Sequence, residues 1–249
     1  MLRAYRADLH IHSILSPCTE PAEMSPRAIV KRAGEAGLHL IAVCDHNSCE
    51  NLPALQKAAE ATSLAVLAGM EITTREEIHI LGLFDTEAHA FEVQKVVYEH
   101  LSGENDEKAF GCQVVVNEHE EVVSFNKKLL IGATTLSLEA VVELIHSRGG
   151  IAIASHIDRE AYSIISQLGF VPPGLALDAL EVSPATSVDE ARRRFPGLDH
   201  LPFISSSDAH SLDGIGSSST AFLMSAAGID EVKLALAGRE GRKVLGGQG

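Results

Sequence analysis

The segment Asp8-Leu9-His10-Ile11-His12 sets two imidazoles at positions i and i+2. Alternate residues of a strand share a face, so this spacing predicts Asp8, His10 and His12 side by side, with Leu9 and Ile11 turned to the opposite packing layer. Two imidazoles so placed can grip one metal ion, although an isolated HxH is weak evidence. Recurrence gives it weight. Val43-Cys44-Asp45-His46, Gly69-Met70-Glu71, Ala154-Ser155-His156 and Ser206-Ser207-Asp208-Ala209-His210 each close a short apolar run. The Asp208/His210 pair repeats the i, i+2 spacing of the first run. In a barrel the C-terminal strand ends converge on one face, where sites are built. His79 instead opens its run, but the link from Ile72 to Ile78 is too short for a parallel crossover. An antiparallel return is therefore expected, which sets His79 beside Glu71.

Six of the twelve histidines (His10, His12, His46, His79, His156 and His210) thus fall on one expected rim. Burying so many imidazoles and carboxylates together without metal would leave polar groups unpaired. The candidates also outnumber the three protein ligands of a typical catalytic zinc, which implies at least two ions. Glu71, central in chain order, is the expected bridging carboxylate. Mixed imidazole and carboxylate ligation suits Zn, Mn or Fe. The other histidines (His39, His89, His100, His119, His146 and His200) fall on helices, loops or strand starts and receive no role.

The elements that must position these groups follow from periodicity. Short apolar runs at about 4–10, 38–44, 64–71, 78–84, 150–155, 178–183, 202–207 and 220–224 read as strands, and 25–36, 50–61, 137–148 and 230–238 as helices. Ser25-Pro26 is an N-cap with proline at the first helical position, and Gly37 and Gly149-Gly150 close helices. Such alternation predicts an α/β chain with a mainly parallel sheet and helices outside. Residues 85–136 break the rhythm with a charged helix, a polar patch and a weakly alternating stretch that turns near Asn117 to Glu120. That region reads as an insertion in a single domain spanning 1–249, either a lid over the site or a solvated excursion.

Composition bounds the partners. The net charge is −14, aromatics are 4% with no Trp, and the longest basic run is Arg192-Arg193-Arg194. A basic stripe and stacking aromatics, the usual footprint of nucleic-acid binding, are missing, so the expected partner is a small molecule and not nucleic acid. Four cysteines (Cys18, Cys44, Cys49, Cys112) show no pairing framework, the start MLRAYRADLH lacks the apolar region of a signal peptide, and the longest apolar stretches, such as Leu64 to Met70, are too short to span a bilayer. A reduced, cytoplasmic setting without a membrane partner is expected.

The segments DLHIHS, CDHN, GMEI, HILGL, SHIDR and SDAH, spread in this order over residues 8 to 210, resemble the PHP (polymerase and histidinol phosphatase) domain family. The resemblance implies a distorted (β/α)7 TIM-like barrel with a trinuclear metal site. It implies His10, His12, His46, Glu71, His79, His156, Asp208 and His210 as ligands, with Asp8 and Asp45 orienting ligand imidazoles from behind. In one place the chain departs from the family pattern. Where many members carry Asp or His five or six residues after HxH, it has Pro17 and Cys18. Cys18 as thiolate, or Glu20 or Glu23, is then the candidate for that ligand. Arg159 resembles the arginine that some members place near substrate phosphate, a role suited to a guanidinium.

The expected chemistry is hydrolysis of a small-molecule phosphate ester by metal-bound hydroxide at a site of two or three ions, with Glu71, Asp208 and Arg159 central to it. Three rivals stand beside it. A 3′-exonuclease predicts a basic groove, an amidohydrolase-type enzyme would cleave C–N bonds, and a non-catalytic metal-binding regulator would have lost ligands.

Overall fold

The computed structural model describes residues 1–19 and 23–248. Its strands are β1 (Arg3–Ile11), β2 (Leu40–Val43), β3 (Ala65–Thr73), β4 (His79–Phe84), β5 (Val114–Val116), β6 (Val122–Phe125), β7 (Ile151–Ala154), β8 (Ala179–Val182), β9 (Phe203–Ser205), β10 (Ser219–Met224) and β11 (Lys243–Gln248). Between them run α1 (Pro26–Glu35), α2 (Leu52–Ala59), α3 (Glu87–His100), α4 (Glu107–Phe110), α5 (Leu138–Ser147), α6 (Ile164–Leu168), α7 (Val188–Arg194) and α8 (Ile229–Leu236). The helix starts follow their caps: the Ser25 hydroxyl accepts from the Ala28 amide and that of Ser137 from the Ala140 amide. No helix among the described residues is long and apolar enough to cross a membrane.

Nine strands form one sheet in the order β11-β10-β1-β2-β3-β4-β7-β8-β9. The pairs β1–β2, β2–β3, β7–β8 and β8–β9 are parallel, while β4 runs antiparallel to both β3 and β7. The expected return after Ile72 is therefore present, with His79 opposite Thr73 across the ladder. The sheet curls until β9 meets β10 through side chains: the Thr220 hydroxyl accepts from the Ser205 amide and donates to the Ser205 carbonyl, both at 2.8 Å. The result is a nearly closed barrel. Leu9, Leu40, Leu81, Ile153, Ile204 and Phe222, drawn from six strands, share one buried cluster. A second cluster packs Phe84 with Val93 and Val97 of α3 and Val141 and Ile145 of α5.

Two departures from the sequence pattern have physical causes. Strand β11 was not expected, because Lys243-Val-Leu-Gly-Gly-Gln248 carries two glycines and little alternation; it gains its order by pairing antiparallel with β10. Strand β1 carries a register shift against β2 between Asp8 and Ile11. Such a bulge breaks the two-residue alternation, so Asp8 does not share the surroundings of His10 and His12.

Residues 85–136 contain α3, α4 and the two-stranded β5–β6 ladder, whose turn is closed by the Asn117 amide donating to the Glu121 carbonyl at 3.0 Å. The segment is tied to the loops after β1 and β2. The Val114 amide donates to the Ile14 carbonyl, Asn51 bonds both Val114 and Val116, and the Asn47 side-chain amide donates to the carbonyls of Leu130 and Gly132 at 2.7 and 2.8 Å.

Candidate metal centre

Each of the six rim histidines, with Glu71 and Asp208, lies at one end of this barrel. Strand β1 and the residue beyond it carry His10 and His12, the β2 end carries Asp45 and His46, β3 carries Glu71, and β4 opens on His79. Glu71 is 1% exposed and sits at the centre. Its Oε1 lies 2.9 Å from His79 Nδ1, 3.3 Å from His10 Nε2 and 3.4 Å from His156 Nε2. Its Oε2 lies 3.0 Å from His46 Nδ1 and 3.6 Å from His12 Nε2. Asp208 Oδ1 lies 3.0 Å from His12 Nε2, 3.3 Å from His10 Nε2 and 3.8 Å from His210 Nδ1. Three overlapping groups have ligand atoms within 4.8 Å of one another: His12/His46/His210, His10/His12/Asp208 and His46/Glu71/His79.

These separations fit metal ligands. Donor atoms about 2.1 Å from one ion, at tetrahedral to octahedral angles, are roughly 3.0–3.4 Å apart. The bonding pattern agrees. Glu71 Oε1, His46 Nδ1 and His79 Nδ1 are buried and make no hydrogen bond with proper alignment, although each imidazole nitrogen lies about 3 Å from an oxygen of the Glu71 carboxylate. Polar atoms left unpaired in a core require an explanation, and lone pairs aimed at a shared cation supply one. Electrostatics point the same way. Burial lifts the Glu71 carboxyl, but His79, His10 and His156 outweigh it and hold Glu71 well below the usual carboxylate range. Burial would likewise lower His10, yet Asp208, Glu181 and Glu71 raise it well above an ordinary imidazole. Glu71, Asp208 and Glu181 thus favour positive charge beside them, which a bound cation would supply.

The backbone at the rim is strained. Asn47, His156, Tyr162 and Asp208 have φ of 51°, 27°, 58° and 49°, the left-handed region where non-glycine residues cost on the order of 1–3 kcal/mol each. Two of these are expected rim ligands, so strain concentrates where the chemistry is. Asn47 is held in place by the bonds to Leu130 and Gly132 and by accepting from the Thr73 amide at 3.0 Å.

Support around the cluster differs from expectation at Asp8. Its carboxylate accepts from the backbone amides of Ser207 and Gly216, each at 3.0 Å, and so braces the chain just before Asp208 without touching an imidazole. The β1 bulge is the reason. Burial pushes its pKa up to about 6 against those bonds. Asp45 reaches the imidazoles through an intermediary: it accepts from the Ser13 amide and the Ser16 hydroxyl at 2.7 Å, and Ser16 Oγ lies 3.1 Å from His12 Nδ1. A carboxylate that sequence reasoning missed acts directly. Glu181, 1% exposed on β8, lies 3.0 Å from His10 Nδ1 and accepts the His156 amide at 3.2 Å. The available signal was an acid inside the otherwise apolar Ala179-Leu-Glu-Val182, on an expected strand to which no rim residue was assigned.

A cavity of about 490 Å³ opens over the cluster, lined by Cys18, His46, Glu71, His79, His156, Asp208 and His210, with Ile131, Arg159 and Tyr162 on its walls. Cys18 stands beside His46 and His210; burial raises its thiol, but hydrogen bonds with these two imidazoles bring it down to about 7. Glu23 is exposed and is not among the cavity-lining residues, and Glu20 lies outside the described residues. Arg159 reaches into the mouth with Nη1 2.5 Å from Asp208 Oδ2. Ile131 comes from the 85–136 segment, so that segment supplies part of the cavity wall. The histidines without an assigned role have local partners where these are described: His39 with Arg6, His89 with Asp85, His146 with Asp178, and His100 and His200 with nearby carbonyls.

Comparison with known proteins places this geometry. A PHP domain model matches residues 8–169. A 5′-3′ exoribonuclease of Haemophilus influenzae is 25% identical over 189 residues, covering 60% of this chain and 68% of that protein. The lesion-specific endonuclease EndoQ of Pyrococcus furiosus superposes with a TM-score of 0.72 at 19% identity, over 98% of this chain and 58% of its own. Endonuclease Q in complex with a 27-mer duplex bearing an abasic lesion at the active site gives 0.70 at 20% identity, over 98% and 59%. The chain thus spans less than two thirds of these endonuclease chains. These likenesses overturn the expectation of a small molecule in place of nucleic acid, since proteins of this fold process RNA and DNA. Net charge misled because it is a whole-molecule quantity: Glu71, Glu181, Asp208, Asp8 and Asp45 count toward −14 yet are buried in and around the metal cluster. The chain belongs to the PHP domain family and is a metal-dependent hydrolase of phosphoric ester bonds.

Proposed function

We propose that the chain removes terminal nucleotides from nucleic acid strands by hydrolysing the phosphodiester at a site of two or three divalent ions. The observation that carries this reading is the cavity: a ligand-free volume of about 490 Å³ is of the size that encloses one small ligand, here one nucleotide and not a length of duplex. His10, His12, His46, Glu71, His79, His156, Asp208 and His210 hold the ions, with Glu71 as the shared carboxylate. When bound, the ions supply an activated water and polarise the phosphoryl group. Zn, Mn and Fe all suit this donor set.

The remaining work falls to the chain. Glu181 fixes the His10 proton on Nδ1 and leaves Nε2 toward Glu71 and Asp208. Asp45 positions His12 through Ser16. Asp208 is held well below the usual carboxylate range: burial opposes this, but His10 and His12 prevail. So weak a base serves better as a ligand than as a proton acceptor. Arg159 is anchored by Asp208 on one nitrogen and 42% exposed, which leaves guanidinium donors for the scissile phosphate.

The test is nucleotide release from end-labelled RNA and DNA by the full chain with Mn or Zn, with a chelated control. The relative's 5′-3′ direction makes the 5′ end the first to examine. Stepwise release of mononucleotides, abolished by chelation, is expected. Cleavage confined to internal positions, or release only from small phosphomonoesters, would sink the terminal-nucleotide reading.

A further inference from the structure

Tyr162 stands at the mouth of the cavity in a backbone conformation its residue type disfavours, with φ of 58°. Core burial does not account for it, because the residue is 44% exposed. Its ring stacks on the His79 imidazole, with centroids 4.7 Å apart and planes at 20°. Its carbonyl accepts the His79 amide at 2.9 Å, which ties its backbone to the start of β4. The other two tyrosines are used differently. Tyr5 is buried and donates to the Ser225 carbonyl, while the Tyr98 hydroxyl is bonded to Ser48 and Asn126. In a chain with no Trp and only 4% aromatics, a strained, exposed ring beside the cluster is an expensive placement for a residue with no task.

The same cavity is lined by Arg159, three residues earlier, and by Ile131, contributed from the 85–136 segment. A guanidinium beside the metal ligands, an exposed aromatic face and an aliphatic wall match the three parts of a nucleotide monophosphate that must be held: anion, flat π-face and apolar edge. We propose that Tyr162 is the stacking platform for the base of the terminal nucleotide whose phosphate lies at Arg159. The proposal rests on the nucleic-acid reading above and adds a subsite to it. Every base offers a π-face, so the platform selects for the presence of a base and little for its identity. It also replaces the run of aromatics that a longer nucleic-acid groove would need, because only one base has to be held.

The test compares two oligonucleotides that differ only at the terminal residue, one carrying a base and the other abasic. The wild-type ratio of kcat/KM, base-bearing over abasic, is expected at roughly 5- to 160-fold, the range of base–aromatic stacking. Tyr162→Leu should collapse this ratio toward one, mainly through KM, while Tyr162→Phe retains it. A ratio unchanged in Tyr162→Leu, or lost equally in Tyr162→Phe, overturns the platform. Calorimetric binding of AMP and of ribose 5-phosphate to the same three proteins keeps the two readings separate. If wild type cleaves neither oligonucleotide, the terminal-nucleotide function fails. The platform then stands if AMP binds at least about fivefold tighter than ribose 5-phosphate only when residue 162 is aromatic, and falls if the two bind alike.

Discussion

Replacing Glu181 by Gln should weaken metal binding and also lower the stability of the metal-free protein, because one carboxylate serves both states through His10. Glu181 Oε1 lies 3.0 Å from His10 Nδ1 and accepts the His156 amide, while its Oε2 is buried without a partner. Across the imidazole, the carboxylate is about 6–7 Å from an ion held by His10 at about 2.1 Å. Coulomb's law at an effective dielectric of 20 then sets a ceiling of about 5 kcal/mol for its attraction to a dication. Glu71 and Asp208 neutralise much of that charge, and the neutral amide still accepts from His10. The expected residue is about 1.5–3 kcal/mol, or roughly 10- to 100-fold in affinity, the range found for groups that orient metal-bound histidines.

Without metal the same carboxylate holds a proton on His10, which Asp208, Glu181 and Glu71 raise well above an ordinary imidazole. Removing one partner of that buried pair leaves charge uncompensated and destabilises the metal-free protein. Affinity is read by competition with a chromophoric chelator, and stability by thermal unfolding in excess chelator. Metal affinity within threefold of wild type would refute the positioning role. Unchanged affinity with lowered metal-free stability would reduce Glu181 to a packing residue.

Other expectations follow from the same geometry. Glu71→Gln should abolish turnover with the fold largely intact, and wild-type turnover at normal metal content would remove Glu71 from its bridging place. Cys18, with its thiol at about 7, should be alkylated by iodoacetamide readily in chelator and slowly with Zn bound; equal rates would exclude it as a ligand. His146 is raised by its 2.8 Å contact with Asp178, against partial burial. A raised imidazole stabilises fully below its unfolded value of about 6.5 and loses that contribution as pH climbs through the folded value. The pair is about one third exposed, so it is worth less than about 1 kcal/mol. His146→Gln should flatten the fall in stability across that window, and an unchanged slope measured by urea unfolding would dismiss the pair.

The gathering of these His, Glu and Asp side chains was legible because it depends on strand ends, which apolar runs mark clearly. His46, Glu71, His156 and Asp208 all close such runs, and the short Ile72–Ile78 link allowed only the antiparallel return that brings His79 back. Side-chain direction was less legible. The i, i+2 rule held for His10 and His12 but failed for Asp8, because the bulge in β1 depends on pairing with β2 and leaves no trace in composition. Glu181 and Ser16 were missed for a related reason. Their importance lies in what they touch across 171 and 4 residues of chain, and neither belongs to a repeated pattern. Strand β11 was illegible because glycines suppress the alternation that reveals strands, while pairing with β10 supplies the order.

Whole-molecule charge and the charge at a site act over different distances. A net charge of −14 governs the far field and the encounter with a long polyanion, where a basic stripe would add counterion release. A terminal nucleotide needs only a local field. In the proposed site that field would be set within a few ångströms by the ions, by Arg159 and by the buried carboxylates that would bind the ions. Each acid in the cluster makes the protein more negative as a whole while making the site more able to hold cations, and therefore phosphate. In a metal-dependent phosphoesterase the two scales are opposed by construction. Acidity read from composition then argues against a long nucleic-acid track but carries no weight against a strand end.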